Sequence, residues 1–146
     1  MVSWPEKIKP KRSDALASSL DIMPTILRAC GIEPSANLPG IDLLDEQSRT
    51  NRKAVFGGAW SSHNANPGDP QSTLQYRWCV TKKWKLLLRH HGLETTRYRT
   101  LHNWDTQPAQ LFAIRDDPRE TQNVALAEQT IVAKLTRRID EVIPRP

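Results

Sequence analysis

The feature that most constrains the fold is the spacing of apolar residues in EQTIVAKLTRRIDEVI, residues 128–143. Ile131, Leu135, Ile139 and Val142 recur every three to four residues, a period typical of a helix with one buried face. This is the strongest periodic signal in the chain. It predicts an amphipathic helix that closes the fold.

Shorter apolar segments before that helix predict β-strands at KAVFGG (53–58), TLQYRWCVT (73–81), KLLLRH (85–90) and AQLFAI (109–114). The second is the clearest, because its side chains alternate. One face carries Leu74, Tyr76, Trp78 and Val80, and the other carries Gln75, Arg77 and Cys79. KKW predicts a tight reversal into the third strand. Strands gathered before a closing helix indicate an α+β fold, in which the helix packs across a small antiparallel sheet of about four strands.

A short helix is predicted near the N-terminus, and long loops follow it. Asp21 is a good N-cap, Pro24 suits a first helical turn, and Gly31 can take the left-handed conformation that ends a helix. These residues predict a helix over residues 22–30. Its buried face is expected to carry Ile22, Ile26, Leu27 and Cys30. Residues 33–51 and 61–72 are rich in turn formers and are expected to be irregular loops.

Length, charge and cysteine content restrict the class of protein. A chain of 146 residues suits about one domain. The formal net charge of +5 favours an anionic partner, and by itself leaves nucleic acid, sulfated sugar and acidic protein open. No segment resembles a signal peptide or a membrane span. Cys30 and Cys79 lack metal-binding spacing and stand beside apolar residues, so buried thiols are expected in preference to a disulfide or a zinc site.

Four segments of the chain match sequence patterns that occur together, in the same order, in one known family. WPEKIKPKRSDALASSLDIMPTILRACGIEP resembles W-P-G-K-I followed by D-x-x-P-T-x-L-x-x-x-G. LPGIDLL resembles the G-x-D-L turn that comes next, and YRWCVTKKWKLLL resembles paired strands with the pattern R-x-x-x-W-K-L. QLFAIRDDPRETQNVA resembles E-L-Y-D-L-x-x-D-P-x-E-x-x-N-L-A before the last helix. Together these segments resemble the C-terminal part of the arylsulfatase-type sulfatases, relatives of alkaline phosphatase, and the resemblance covers nearly the whole chain, from Trp4 to about Val142.

The resemblance implies that the catalytic chemistry belongs to another part of the enzyme. Sulfatases of this type split sulfate esters with a formylglycine made from the Cys of a C-x-P-S-R motif, beside a calcium ion held by Asp and Asn. Here the cysteines stand in ACGIEP and WCVTKK, and the acidic metal motifs and the sulfate-binding Lys and His have no counterpart. Formylglycine and calcium are therefore expected in the intact family enzyme, and no catalytic residue or metal ligand is expected in this chain.

Candidate substrate contacts lie in the loop after the first predicted strand. In similar sulfatases this loop approaches the active-site cleft, which implies substrate-binding roles for His63, Trp60 and Asn64. His63 could hydrogen-bond a hydroxyl or sulfate oxygen, and Trp60 could stack on a sugar ring. The structural alternatives are a solvated loop histidine and a packed tryptophan.

Other polar features also have two interpretations. The basic stretch RHHGLETTRYR, residues 89–99, could attract a sulfated polysaccharide or be a solvated extension. Arg77 is expected to pair with Asp116 or Asp117, and Asn123 to act as a cap or turn residue before the last helix. No Ser-His-Asp nucleophile context, phosphate-binding glycine loop or nucleic-acid module is recognisable.

The resemblance also divides the chain and suggests its role. Residues 1–52 would be the linker and helix segment that joins the main sulfatase domain, and residues 53–146 the C-terminal subdomain. The expected function is that of a C-terminal fragment of a sulfuric ester hydrolase acting on sulfated carbohydrate or aryl sulfate esters. It would shape the substrate entrance and act as scaffold, and would be inactive alone.

The expected partner is the missing catalytic domain, in cis or as a separate chain. Sulfated glycan is a further candidate, whereas nucleic acid and membrane are not expected. The alternatives are a stand-alone binding module for sulfated glycans and a non-functional remnant. Family members are commonly exported to the periplasm, the extracellular space or the lysosome.

Overall fold

A computed structural model describes residues 4–5, 7–10, 12–60, 68–69, 73–90 and 108–144. The chain divides into two compact units, Met1–Arg52 and Lys53–Pro146, and each has its own internal structure. Within the described ranges, no helix is long and apolar enough to cross a membrane.

The N-terminal unit contains two short helices, α1 (Ile22–Ala29) and α2 (Glu46–Asn51). A 3-10 turn at Ser19–Asp21 leads into α1, and its cap is Ser18, whose hydroxyl accepts a hydrogen bond from the N–H of Leu20. Pro24 lies in the first turn of α1, and Gly31 follows its end with φ of 75°. The extent of the helix is confirmed to within one residue. Asp21 stands at the N-cap position, as predicted, but its side chain makes no capping bond to α1.

The second helix corrects the expectation of a continuous loop over residues 33–51. Asp45 begins α2, since its carboxylate accepts hydrogen bonds from the N–H groups of Gln47 and Ser48. The helix has six residues, none of them buried, so it shows no apolar period that could predict it.

Gly40 brings the connection between α1 and α2 against the 3-10 turn. Its φ is 102°, and a Cβ built on it would lie 2.3 Å from the carbonyl oxygen of Leu20. A side chain at this position would therefore strain the backbone and push the connection away from the turn.

The apolar side of α1 is exposed. Ile22 and Ile26, expected on a buried face, are 56% and 54% exposed, and Cys30 is exposed as well. The buried residues in the described part of this unit are Asp21, Pro24 and Thr25. The expected orientation of the helix is therefore wrong.

Hydrogen bonds explain this orientation. The N–H of Ile41 donates to Asp21 at 3.0 Å, and the N–H of Leu43 donates to the Thr25 hydroxyl at 2.8 Å. The Thr25 hydroxyl in turn donates to the carbonyl of Asp21. Since unpaired polar groups are costly to bury, the connection after α1 packs on the side of the helix that offers these partners.

The C-terminal unit is a four-stranded antiparallel sheet with a helix against it, so the α+β fold class is confirmed. The strands, in both sequence and spatial order, are β1 (Val55–Trp60), β2 (Leu74–Val80), β3 (Lys85–Arg89) and β4 (Ala109–Phe112). The last helix is α3 (Gln129–Val142). Strand bounds agree with the predicted ones to within two residues, because alternation and turn residues act locally.

The core of this unit lies between α3 and one face of the sheet. Leu135 and Ile139 of α3 pack in one cluster with Cys79, Leu86 and Leu111. The predicted helical stripe is confirmed for Leu135 and Ile139, whereas Val142 is 55% exposed. The predicted burial of Cys79 is confirmed, and that of Cys30 is wrong.

Asn123 connects β4 to the segment before α3. Its side-chain oxygen accepts hydrogen bonds from the N–H of Leu111 and the N–H of Ala125, each at 3.0 Å. The predicted role as a turn residue is confirmed.

Candidate functional site

Trp60 is the predicted substrate contact that the structure describes. It is the last residue of β1, beyond a register irregularity at Ala59, and it is 45% exposed. Its ring lies over Gly58, where an added Cβ would come within 2.6 Å of a ring carbon. The absence of a side chain at Gly58 thus gives the indole a flat support while part of the ring stays open.

All four strands begin or end at the end of the sheet where Trp60 lies. Trp60 pairs with Leu74 at the start of β2, and Tyr76 pairs with Arg89 at the end of β3. β4 runs antiparallel to β3 and begins on the same side. His63, Asn64 and residues 91–99 of the basic stretch lie outside the described residues, so Trp60, Arg89 and His90 are the described members of the predicted contact set.

A buried arginine lies on the strand next to Gly58, the glycine under the Trp60 ring. Gly58 is the register partner of Arg77 on β2, and Arg77 is only 2% exposed. Its Nε donates to His90 at 2.7 Å, and its NH1 donates to both Asp140 and the carbonyl of Ile143, each at 2.7 Å. The predicted pairing with Asp116 or Asp117 is wrong.

This network is structural. The three acceptors hold the Arg77 guanidinium inside the unit, where it connects β2, the end of β3 and the last turn of α3. A buried cation with these partners is not presented to a ligand. The sequence gives no signal for the pair, because Arg77 and Asp140 are 63 residues apart and on different elements.

A second polar centre lies in the N-terminal unit. The Asp21 carboxylate accepts hydrogen bonds from the two terminal guanidinium nitrogens of Arg52, at 2.6 and 2.7 Å, and from the N–H groups of Ser18 and Ile41. Burial raises the pKa of Asp21, but the hydrogen bonds from Arg52, Ser18 and Ile41 outweigh it, so the pKa lies below its ordinary value. Every partner belongs to this unit, and the centre holds it together.

The described residues do not fit the nucleophile or the metal centre that the resemblance implies for the intact enzyme. Cys79 is fully buried in the core, and burial raises the pKa of its thiol, which disfavours the reactive thiolate. Cys30 follows α1 at the surface, in the sequence context ACGIEP. Among the residues that the structure describes, no three His, Cys, Asp or Glu side chains are grouped to hold a metal ion.

A cleft of about 550 Å³ lies on the sheet face away from α3, lined by Trp78, Val80, Lys85, Leu87, Ile114, Pro118 and Glu120. Trp78 fits there because Gly57 has no side chain: an added Cβ would come within 2.2 Å of the indole. The charges at the cleft pair with each other, since Lys85 Nζ donates to Glu120 at 2.6 Å. This cleft therefore offers an apolar surface and a satisfied ion pair.

The sequence matches the family model described as N-sulphoglucosamine sulphohydrolase, C-terminal, over residues 1–145. No curated protein matches the chain.

Several solved structures share the fold. One from work on the metabolism of multiple glycosaminoglycans by Bacteroides thetaiotaomicron, labelled 4S-sulf, is 22% identical over 98% of this chain and 30% of its own, with a TM-score of 0.69. A second from the same work, labelled 6S-sulf, is 20% identical over 95% of this chain and 27% of its own, with a TM-score of 0.62. A 2-O GAG sulfatase is 20% identical over 91% of this chain and 26% of its own, with a TM-score of 0.61. At these identities the likeness shows the fold, and this chain spans less than a third of each structure.

Proposed function

Because this chain belongs to the family of N-sulphoglucosamine sulphohydrolase C-terminal domains, we propose that it serves as the C-terminal part of a sulfuric ester hydrolase. The observation that carries the proposal is the family match over residues 1–145 of a 146-residue chain. In this proposal residues 53–146 are the C-terminal subdomain, and residues 1–52 join it to the main sulfatase domain.

The catalytic residues come from the missing catalytic part, either in cis or as a separate chain. Two observations support this assignment. The chain spans 26–30% of the three solved structures described above, so most of the polypeptide of those proteins has no counterpart here. In addition, Cys79 is inaccessible in the core, and the described residues offer no metal-binding group. Formylglycine and calcium, which supply sulfate ester cleavage in the intact family enzyme, would therefore be held by that other part.

This chain would contribute to the substrate entrance through Trp60, His63 and Asn64. The half-exposed indole of Trp60, supported by Gly58, has the geometry to stack on a sugar ring. His63 and Asn64 follow within four residues in the sequence and would supply hydrogen bonds to hydroxyl or sulfate oxygens. Nearby Arg89 adds positive charge at the same sheet end.

The substrate class is a sulfate ester of a carbohydrate or an aryl alcohol. Support comes from the structures with the same fold, which are described as a 2-O GAG sulfatase and as proteins of glycosaminoglycan metabolism. As in the family, export from the cytoplasm would bring such an enzyme to its polymeric substrate.

The test is sulfate release by the chain alone and together with a sulfatase catalytic part. The chain would be coexpressed with the polypeptide carrying the C-x-P-S-R segment encoded nearest upstream, and sulfate release from an aryl sulfate and from a sulfated disaccharide measured. Activity only in the complex is the expected result. Activity of the catalytic part at the same rate without this chain contradicts the proposal.

Two alternatives have distinct results in the same preparation. A stand-alone glycan-binding module would bind heparin or chondroitin sulfate tightly when purified alone, and would form no complex. A non-functional remnant would do neither. The net charge of +5 is compatible with the binding module, so the isolated chain should be tested on both polymers.

A further inference from the structure

The N-terminal unit exposes the apolar side chains that would normally form a core. Large apolar residues more than half exposed on and around α1 are Leu20, Ile22, Met23, Ile26 and Ile32. Its buried residues, within the described part, are Asp21, Pro24 and Thr25. Soluble surfaces seldom carry so many large apolar groups on one short segment without a partner.

These groups form a continuous surface on the helix. Successive residues of an α-helix are about 100° apart around its axis, so Ile22, Met23 and Ile26 lie within an arc of about 100° on α1. We call these three residues the α1 apolar face. The groups that bind the connection after the helix lie outside this face: Asp21 comes just before α1, and Thr25 lies about 100° around the helix from the middle of the face. Hydrogen bonds thus fix the helix with this face outward.

Other apolar residues of the unit also lack a closed core. Trp4, Ile8, Leu16, Leu43 and Leu44 line an open cleft of about 690 Å³. Polar contacts, chiefly those of Asp21 with Arg52, hold the unit together in place of apolar packing. The unit therefore buries little apolar surface of its own.

We propose that the α1 apolar face docks against the catalytic part of a sulfatase polypeptide, a step that rests on the proposed function. The fold relatives indicate this occupant, because they contain more than twice as much additional polypeptide as the part that matches this chain. The matching family is a C-terminal one, so in its full-length members that polypeptide precedes the match. The N-terminal unit is the part of this chain that lies nearest to it in sequence.

The occupant would present an apolar surface wide enough for about two helical turns, such as one face of a sheet or a groove between helices. The surrounding charges do not require a charged partner. Arg28 and Glu33, at the end of α1, already form an ion pair with each other. Apolar burial would therefore provide most of the binding free energy, and salt should affect the affinity little.

The experiment measures binding of the full chain to the catalytic polypeptide, which is the one that carries C-x-P-S-R and is encoded nearest upstream of this chain. The test variant is Ile22→Ser with Ile26→Ser, and the matched control is Leu126→Ser, an apolar residue of the other unit that is 76% exposed. We expect the double variant to weaken the complex by at least about tenfold and the control to leave it unchanged. Circular dichroism checks that both variants keep their helices, and Met23→Lys gives a second, independent test of the same face.

Several results would overturn the docking proposal. The docking proposal is wrong if the double variant and Met23→Lys bind the catalytic polypeptide as tightly as the original chain does. If their complexes also release sulfate, the proposed function stands without the docking proposal. The docking proposal is also wrong if the face instead joins two copies of this chain, which sedimentation would show as a homodimer lost in the double variant. If the original chain forms no complex with the catalytic polypeptide, both the docking proposal and the proposed function fail.

Discussion

Asp21 shows how one carboxylate can organise a segment that has little apolar packing. It accepts four hydrogen bonds, two from Arg52 and one each from the N–H groups of Ser18 and Ile41. The sequence identifies Asp21 as a helix cap because aspartate next to an apolar run is a local signal. Its true partner, Arg52, is 31 residues away, and no local pattern could reveal it.

Asp21→Asn should destabilise the N-terminal unit. The change leaves Arg52, whose side chain is 13% exposed, without its counter-charge, and breaking such a pair costs about 3 kcal/mol. Native-state hydrogen exchange at the Ile41 and Leu43 amides, measured with the catalytic polypeptide bound, would show the lower stability as a loss of protection. The control is Glu33→Gln, which breaks the exposed pair with Arg28 and should change the opening free energy by less than about 1 kcal/mol. Equal effects of the two changes would contradict the structural role of Asp21.

The effect of Asp21→Asn should also depend on pH. Because the folded-state pKa of Asp21 is lowered, its contribution is fully present above the unfolded-state pKa of about 3.9 and is lost as pH falls through the folded-state value. The difference in opening free energy between the original chain and the variant should therefore be constant near neutral pH and shrink in acid below about pH 4. A difference that grew on acidification would show that the carboxylate is not the stabilising form.

Arg77→Lys tests the buried hydrogen-bond network of Arg77. A lysine keeps the charge but cannot span His90, Asp140 and the Ile143 carbonyl with one ammonium group. The loss of hydrogen bonds to these buried acceptors should lower the unfolding free energy by about 1–3 kcal/mol, measured in urea. Lys85→Gln, which removes the half-exposed pair with Glu120, is the comparison and should cost less than about 1 kcal/mol. Equal urea midpoints for the two variants would show that the Arg77 network does not stabilise the fold.

At the scale of elements, the strands and the last helix were predictable because their signals are local. Alternation in β2 and the period of α3 follow from which side each residue faces. The sequence does not predict which face of the sheet α3 covers. The face that carries Trp78 is the more apolar of the two and would be the expected core. The structure places α3 on the face of Arg77 and Cys79, where Asp140 neutralises the buried arginine.

Ile139→Ala tests the packing of α3 on the sheet. Ile139 is fully buried with Leu86 and Leu111, so truncation should cost about 2–5 kcal/mol through lost transfer energy and a cavity. Leu126→Ala, at a site 76% exposed, should change the unfolding free energy by less than about 0.5 kcal/mol. Thermal or urea unfolding followed by circular dichroism makes the comparison. If both variants unfolded at the midpoint of the original chain, α3 would not be part of the core.

At the scale of the whole molecule, the two units differ in what stabilises them. Residues 53–146 enclose an apolar cluster, whereas residues 1–52 rely on polar contacts and expose the α1 apolar face. Composition alone did not predict this contrast, because burial of α1 depends on which long-range hydrogen bonds form. The substrate contacts His63 and Asn64 remain predictions, since they lie outside the described residues.

Expression of the two units separately should show this difference. Residues 53–146 should unfold cooperatively on heating, with loss of circular dichroism and a change in tryptophan fluorescence. Residues 1–52 should show no cooperative transition, because too little apolar surface is buried to offset the chain entropy. A cooperative transition in residues 1–52 alone would contradict both this contrast and the need for a partner at α1.

The turn between β2 and β3 has a consequence for how the chain reaches its structure. Val80 pairs with Lys85 across only four residues. Thr81 closes the turn twice: its hydroxyl accepts a hydrogen bond from the N–H of Trp84, and its backbone N–H donates to the Trp84 carbonyl. So short a closure loses little chain entropy, whereas β1 and β4 must be brought in across longer connections. We expect this hairpin to form early and set the folding rate, so Thr81→Val should slow refolding in stopped-flow more than it speeds unfolding.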